Sequence, residues 1–314
     1  MATVETVLGS VDAASLGAIL SHEHVLVSMG EDNHHYAWRY DWPKTKANAV
    51  RELSEAKAGG VDTLIDLTTP DLGRDIPFIR EVARASGMNV VVATGIWRDV
   101  PRSFWTRDLD EIADIFVREI EVGIDDTGVK AGAIKVANDM GGVTPEGEQV
   151  LRGAARALKR TGCPISTHHW APEEVGRRQV EIFREEGAPM DRICIGHSAD
   201  STDVAYLEEL LNTGVYLSMD RYPGSAGRPN WEQRNATVKA LVERGWAERL
   251  MLGHDYAPAP VLAGQDPPPA DGPTRYLFLN TVALPALREQ GMDEGPIATM
   301  MRDVPRRFLT GEKS

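Results

Sequence analysis

Two imidazoles one residue apart, His22 and His24, close the short apolar run Ala18-Ile-Leu-Ser-His-Glu-His-Val25. In an extended strand the side chains at i and i+2 share a face, so this segment aims both rings at one point and offers half of a metal site. Alone, such a pair is more often a polar strand end than a ligand pair. Four later apolar runs change that balance, because they end in Lys135, His168, His197 and Asp255, each a candidate ligand or bridge for a divalent cation. At His168-His169 and His254-Asp255 adjacent side chains point to opposite faces. A strand buried on both sides carries no periodicity that chooses between them.

These runs alternate with helical patterns. Strands are expected over 18–25, 61–68, 89–95, 131–137, 163–169, 192–198, 214–220 and 249–255, and helices over 47–57, 76–85, 109–122, 145–160, 173–186, 203–211 and 231–244. The strands are nearly continuous in apolar residues, as strands covered on both faces are. Their ends, at His24, Thr68, Gly95, Lys135, His168, His197, Asp220 and Asp255, lie 23 to 44 residues apart, enough for one helix, one strand and their loops. Eight such units predict an α/β fold, a (β/α)8 TIM barrel, with residues 1–314 as a single domain. A barrel brings all eight strand ends to one mouth, where five of them deliver ligand-type side chains. A doubly wound open sheet, the lesser alternative, spreads them along a line. Residues 3–18 predict a short N-terminal β-hairpin that plugs one end. Residues 29–46, with Trp38, Tyr40, Trp42 and the pair His34 and His35, are expected to form a loop walling a pocket.

Lysine and arginine number 34 against 47 aspartates and glutamates, a net charge of −13 at pH 7. An acidic chain without a basic run repels phosphate backbones and anionic lipid surfaces. The expected partner is therefore a small-molecule substrate, with no nucleic acid and no membrane. Cys163 and Cys194 sit inside apolar runs and are expected to be buried free thiols. The opening Met-Ala-Thr-Val-Glu-Thr-Val has neither the basic region nor the apolar core of a signal peptide, and no apolar run nears the ~20 residues of a membrane span. A soluble cytoplasmic protein is expected.

His-Glu-His at 22–24, Gly-Ala-Ile-Lys-Val-Ala at 132–137, Ser-Thr-His at 166–168, Cys-Ile-Gly-His-Ser at 194–198, Gly-His-Asp-Tyr at 253–256 and the closing Asp-Val-Pro-Arg-Arg-Phe at 303–308 resemble, in order and spacing, the phosphotriesterase family of the amidohydrolase superfamily. The resemblance implies a binuclear centre, with His22, His24 and Asp255 on one divalent ion, His168 and His197 on the other, and Lys135 joining them. A lysine ammonium has no lone pair to offer a metal. Burial between two cations favours the free amine, which can take up CO2 and become a bridging carbamate. The implied cofactors are thus two divalent metal ions and carbamylated Lys135. Zinc is the first expectation, and cobalt, manganese or iron also suit nitrogen-rich ligands with a carboxylate. A hydroxide between the ions would attack a carbonyl carbon or a phosphorus, with Asp255 as proton acceptor.

The same resemblance implies substrate contacts for Trp97 and Arg221, and these pull apart. Tryptophan after the third strand is typical of phosphotriester-hydrolysing members, whereas arginine in Met-Asp-Arg-Tyr matches the lactonase-like branch. Residues 257–273 are rich in proline and glycine and lack the apolar helix-like segment that lines the acyl channel of many lactonases, which argues against long-chain acyl-homoserine lactones. The expected activity is hydrolysis of lactones or carboxylic esters, with organophosphate triesters as a side activity. A true phosphotriesterase or an amide or carbamate hydrolase is the alternative, and a non-catalytic metal-binding barrel comes last. A homodimer is also expected, with Tyr36, Trp38, Phe104 and Trp105 as exposed aromatics.

Overall fold

The computed structural model describes residues 2–30, 32–267, 269 and 272–312. An antiparallel hairpin, β1 (Thr3–Thr6) and β2 (Gly9–Asp12), leads into eight parallel strands hydrogen-bonded in chain order. These are β3 (Ile19–Glu23), β4 (Thr63–Asp66), β5 (Asn89–Ile96), β6 (Ala133–Ala137), β7 (Ile165–His168), β8 (Ile193–Ile195), β9 (Tyr216–Met219) and β10 (Leu250–Leu252). The sheet closes on itself where the chain just past β10 meets β3. There the Asp255 N–H donates to the His22 carbonyl and the His24 N–H to the Tyr256 carbonyl, 2.9 Å each. The expected (β/α)8 barrel with its hairpin is the observed fold.

A short α1 (Asp32–His35) precedes the outer helices α2 (Trp42–Ala58), α3 (Ile76–Ser86), α4 (Leu109–Glu121), α5 (Pro145–Thr161), α6 (Gly176–Glu185), α7 (Val204–Leu211) and α8 (Trp231–Glu243). Most begin at a residue whose side chain accepts a first-turn N–H. Asp75, Asp108, Thr144, Asp203 and Asn230 fill that role, and Asp108 forms a reciprocal box with Glu111. The largest departure from expectation is α2. It starts at Trp42, inside the segment read as a loop, because Asp41 caps Lys44 and Pro43 occupies the first turn, where its missing N–H costs nothing.

Alternate strand positions pack into two separate cores. Leu20, Leu64, Val90, Val92, Ile134, Val136, Ile165 and Leu217 face the helices. Ile19, Ile65, Val91, Ala93, Ala133, Cys194, Tyr216 and Met251 fill the barrel interior, which Val4 of the hairpin and Phe308 of the C-terminal helix join. The hairpin therefore plugs the end opposite the strand C-termini, as expected. Lys135 shares the parity of Ala133, so the strand aims it into the barrel.

Cys163 and Cys194 are free and buried, as read from their runs. Of the four aromatics expected at the surface, Tyr36, Trp38 and Trp105 are exposed, but Phe104 is buried and packs on Phe116 of α4. Among the described residues, no helix is long and apolar enough to cross a membrane.

Candidate metal centre

The six residues expected as ligands all line one cavity of about 230 Å³ at the C-terminal mouth of the barrel, and Trp97 and Arg221 line it with them. The two open choices resolve by burial partner. His169 turns away toward the helices, where Nδ1 donates to the Gly196 carbonyl at 2.6 Å and Nε2 meets the Tyr206 hydroxyl at 3.0 Å. His254 likewise turns away and pairs with Glu23 at 2.8 Å. His168 and Asp255 are the partners that reach the mouth.

Inside the cavity, His22 Nε2 and His24 Nε2 lie 3.5 and 3.2 Å from Asp255 Oδ1, and Lys135 Nζ lies 2.9 Å from His22 Nε2. His197 Nε2 lies 2.9 Å from His168 Nδ1. His22, His24 and Asp255 thus place one donor atom each within reach of a single cation. Three of the six do not sit on strands as the sequence suggested, and His24 is the first of them, one residue past the end of β3 at Glu23. β8 stops at Ile195 and β10 at Leu252, and both His197 (φ 61°) and Asp255 (φ 52°) occupy left-handed turns just beyond. Non-glycine residues hold that conformation only where the surroundings over-determine it, at a cost of roughly 1–3 kcal/mol, and such residues cluster at functional sites.

Backbones approach closely beneath the site. A Cβ on Gly95 would stand 1.9 Å from the Lys135 carbonyl, and one on Gly196 would stand 2.0 Å from the Thr167 carbonyl. Only glycine permits β5 to pair with β6, and the turn after β8 to pass β7, at these points.

The outer nitrogens of three of the four imidazoles are committed. Asp220, buried and carboxylate-charged, accepts from Nδ1 of both His22 and His197 at 2.8 Å, and Thr68 Oγ1 meets His24 Nδ1 at 2.8 Å. Burial opposes ionisation of Asp220, but the His197 and His22 rings beside it outweigh this and hold its pKa well below the usual carboxylate range. A carboxylate only accepts, so the ring protons sit on Nδ1 and the inward Nε2 atoms keep free lone pairs. The fourth histidine, His168, has its Nε2 buried without a hydrogen-bond partner, 3.5 Å from Asp139. This pattern, inward lone pairs with outward carboxylate or hydroxyl partners, is how metal-binding imidazoles are oriented, and the residues fit a metal group. Asp220, Thr68 and Asp139 were missed as functional residues. Asp220 and Thr68 stand at strand ends, and the rule that a ligating histidine needs an outer acceptor was the signal available.

Burial lowers the Lys135 amine to about 8, from an ordinary 10.5, so roughly a tenth of it is unprotonated at pH 7. Burial also raises the Asp255 carboxyl, but His197, His22, His24 and Arg221 beside it overcome that and hold it well below the usual carboxylate range. Arg221 (φ 66°) donates from Nε to Asp255 Oδ2 at 2.9 Å and from an NH group to Asp200 at 2.7 Å. Asp200 also receives Arg228 and Arg234, which anchors the arginine row. Trp97 donates from Nε1 toward His168 Nδ1 at 3.3 Å, and Arg98 lies over its ring. Ala257 lines the cavity just past Asp255, but Val261 is buried and Leu262 pairs with Tyr40, so residues 261–263 fold back on residues 39–41 and do not line it.

Burial also lowers His168 and His169 to about 4 from an ordinary 6.5. The unfolded chain takes up these protons first as pH falls below 6.5, so stability is full above that value and is lost down to about 4. For His169, which lies outside the ligand cluster, the loss amounts to roughly 3 kcal/mol. Thermal unfolding of metal-free protein is therefore expected to drop steadily between pH 7 and pH 4. A flat profile would contradict buried neutral rings.

A barrel that gathers histidines, a buried lysine and an aspartate at its catalytic mouth is a metal-dependent hydrolase. Comparison with known proteins agrees. A profile of the phosphotriesterase family matches residues 2–309. The phosphotriesterase homology protein of Mycobacterium tuberculosis is 44% identical over 323 residues, covering 98% of each chain. The aryldialkylphosphatase of Saccharolobus solfataricus is 35% identical over 309 residues, covering 96% of this chain and 97% of its own. The solved structure of the phosphotriesterase from Mycobacterium tuberculosis superposes with a TM-score of 0.89 at 41% identity and 98% coverage of both chains. The chain belongs to the phosphotriesterase family, whose members generally depend on two metal ions.

Proposed function

We propose that this chain hydrolyses lactones or other carboxylic esters, with phosphotriesters as a slower side activity. The observation that carries the reading is the meeting of one lysine amine, one carboxylate and four imidazoles, linked by contacts of 2.9 to 3.8 Å at the barrel mouth. His22, His24 and Asp255 would hold one divalent ion, His168 and His197 the other, and Lys135 would join them. A bound pair of such ions supplies an activated water and polarises the scissile bond.

The protein's own residues supply the rest. The free Lys135 amine adds to CO2, forming an N–C bond and releasing one proton, so that Lys–NH2 becomes Lys–NH–COO⁻. That product is the bridging carboxylate the ammonium cannot be. Asp255 stands beside three imidazole ligands and is the proton acceptor for the attacking water. Arg221 remains cationic throughout and cannot relay a proton. It fixes the Asp255 carboxylate and offers positive charge to oxygen on the substrate. Val27, Met29, Leu72 and Trp97 form an apolar wall over a volume suited to a compact ring or short ester.

Trp97 favours a second reading. It stands where triester-hydrolysing members have tryptophan, and the Saccharolobus relative is named an aryldialkylphosphatase. Turnover of γ- and δ-lactones against paraoxon-like triesters by the same zinc-loaded preparation decides between them. Lactones are expected to lead by at least tenfold in kcat/KM; triesters leading by orders of magnitude would establish the second reading.

A further inference from the structure

The middle residue of His-Glu-His and the first of His-Asp-Tyr have no place in the mechanism above, yet both are buried beside it. Glu23 and His254 meet at the barrel seam, between the chain past β10 and β3. One oxygen of Glu23 accepts from the His254 backbone N–H at 2.7 Å and from His254 Nδ1 at 2.8 Å, and the other accepts from the Tyr256 N–H at 3.2 Å. His254 Nε2 in turn accepts the Leu279 N–H at 3.2 Å, which fixes its proton on Nδ1 and its ring in place. Glu23 therefore grips the residue on each side of Asp255 while being itself the residue between His22 and His24. Asp255 lies in the left-handed region, a conformation that is strained for a non-glycine residue and is held by its surroundings.

We propose that Glu23 and His254 form a positioning latch that sets Asp255 against His22 and His24, and so governs the grip on one ion of the pair and not on the other. The inference rests on the ligand set proposed above. His168 and His197 reach the cavity from β7 and the turn after β8, across the barrel, and no hydrogen bond ties either to the latch pair.

Zinc-loaded protein in bicarbonate buffer, challenged with EDTA, tests it. Wild type is expected to lose its two ions slowly. In Glu23→Gln the side-chain amide faces an N–H in place of an acceptor, and one ion is expected to leave at least tenfold faster while the second leaves at the wild-type rate. In the same variant kcat should fall at least tenfold with KM within about threefold. His254→Leu should behave alike. His254→Asn, whose side-chain N–H can replace Nδ1–H toward Glu23, should restore most of the retention, an outcome that simple loss of packing would not give. Wild-type retention and kcat in both Glu23→Gln and His254→Leu would overturn the latch, and so would loss of both ions together. A wild type that takes up no zinc would overturn the ligand set and the latch with it, which separates the two failures.

Discussion

Lys135→Ala is expected to abolish tight binding of both ions and to lower kcat/KM by on the order of a thousandfold or more. Metal assistance supplies several kcal/mol of charge stabilisation, and each 1.36 kcal/mol is a factor of ten in rate. A residue that merely filled the barrel would behave differently. Burying the Lys135 ammonium has lowered its pKa from 10.5 to about 8, so the charged form costs roughly 3 kcal/mol in the metal-free fold. Lys135→Met keeps the methylene stem and removes the amine. Metal-free Lys135→Met is therefore expected to unfold at a higher temperature than metal-free wild type while being equally inactive. Elemental analysis, thermal scans and lactone turnover on the same preparations check this. Two ions per chain and full activity in Lys135→Ala would end the carbamate reading.

The fold was legible because both faces of every barrel strand are covered. Val90-Val-Val-Ala is apolar throughout, and Ala133-Ile-Lys-Val-Ala is apolar at every position but one, where a polar side chain must have a purpose. The same double coverage hid which neighbour faced inward at His168-His169 and His254-Asp255, since both members are buried or nearly so. It also hid the strand ends. His197 and Asp255 continue an apolar run in sequence but leave the ladder in space, because a left-handed residue turns the chain without changing its composition. The α2 start was missed for a local reason, as three aromatics outweighed the cap at Asp41 and the proline after it. Least legible were the residues that act on the ligands. Asp220, Asp139 and Glu23 come from different strands and loops, and their relation to the histidines exists only once the barrel closes.

Asp220 gives the second large effect. Its two oxygens take three donors, Nδ1 of His22 and the backbone N–H of His197 on one and Nδ1 of His197 on the other, at 2.8, 3.1 and 2.8 Å. Asp220→Asn has the same shape but replaces one acceptor with an NH2 group. Set toward His197, the amide drives that ring to carry its proton on Nε2, which removes the lone pair proposed for a metal. Set the other way, it confronts both His22 Nδ1–H and the His197 N–H. Because His22 is assigned to one ion and His197 to the other, either orientation strips a ligand from the centre. Loss of such an outer partner typically costs 10–100-fold in metal affinity or activity. Zinc affinity measured by chelator competition is expected to fall by about that factor. The metal-free fold should change by only a few kcal/mol, since no volume is lost and one hydrogen-bond set is disturbed. Undiminished zinc affinity in Asp220→Asn would mean that the histidines do not need the carboxylate to choose their tautomer, and the assignment of their inward nitrogens as ligands would lose its structural basis.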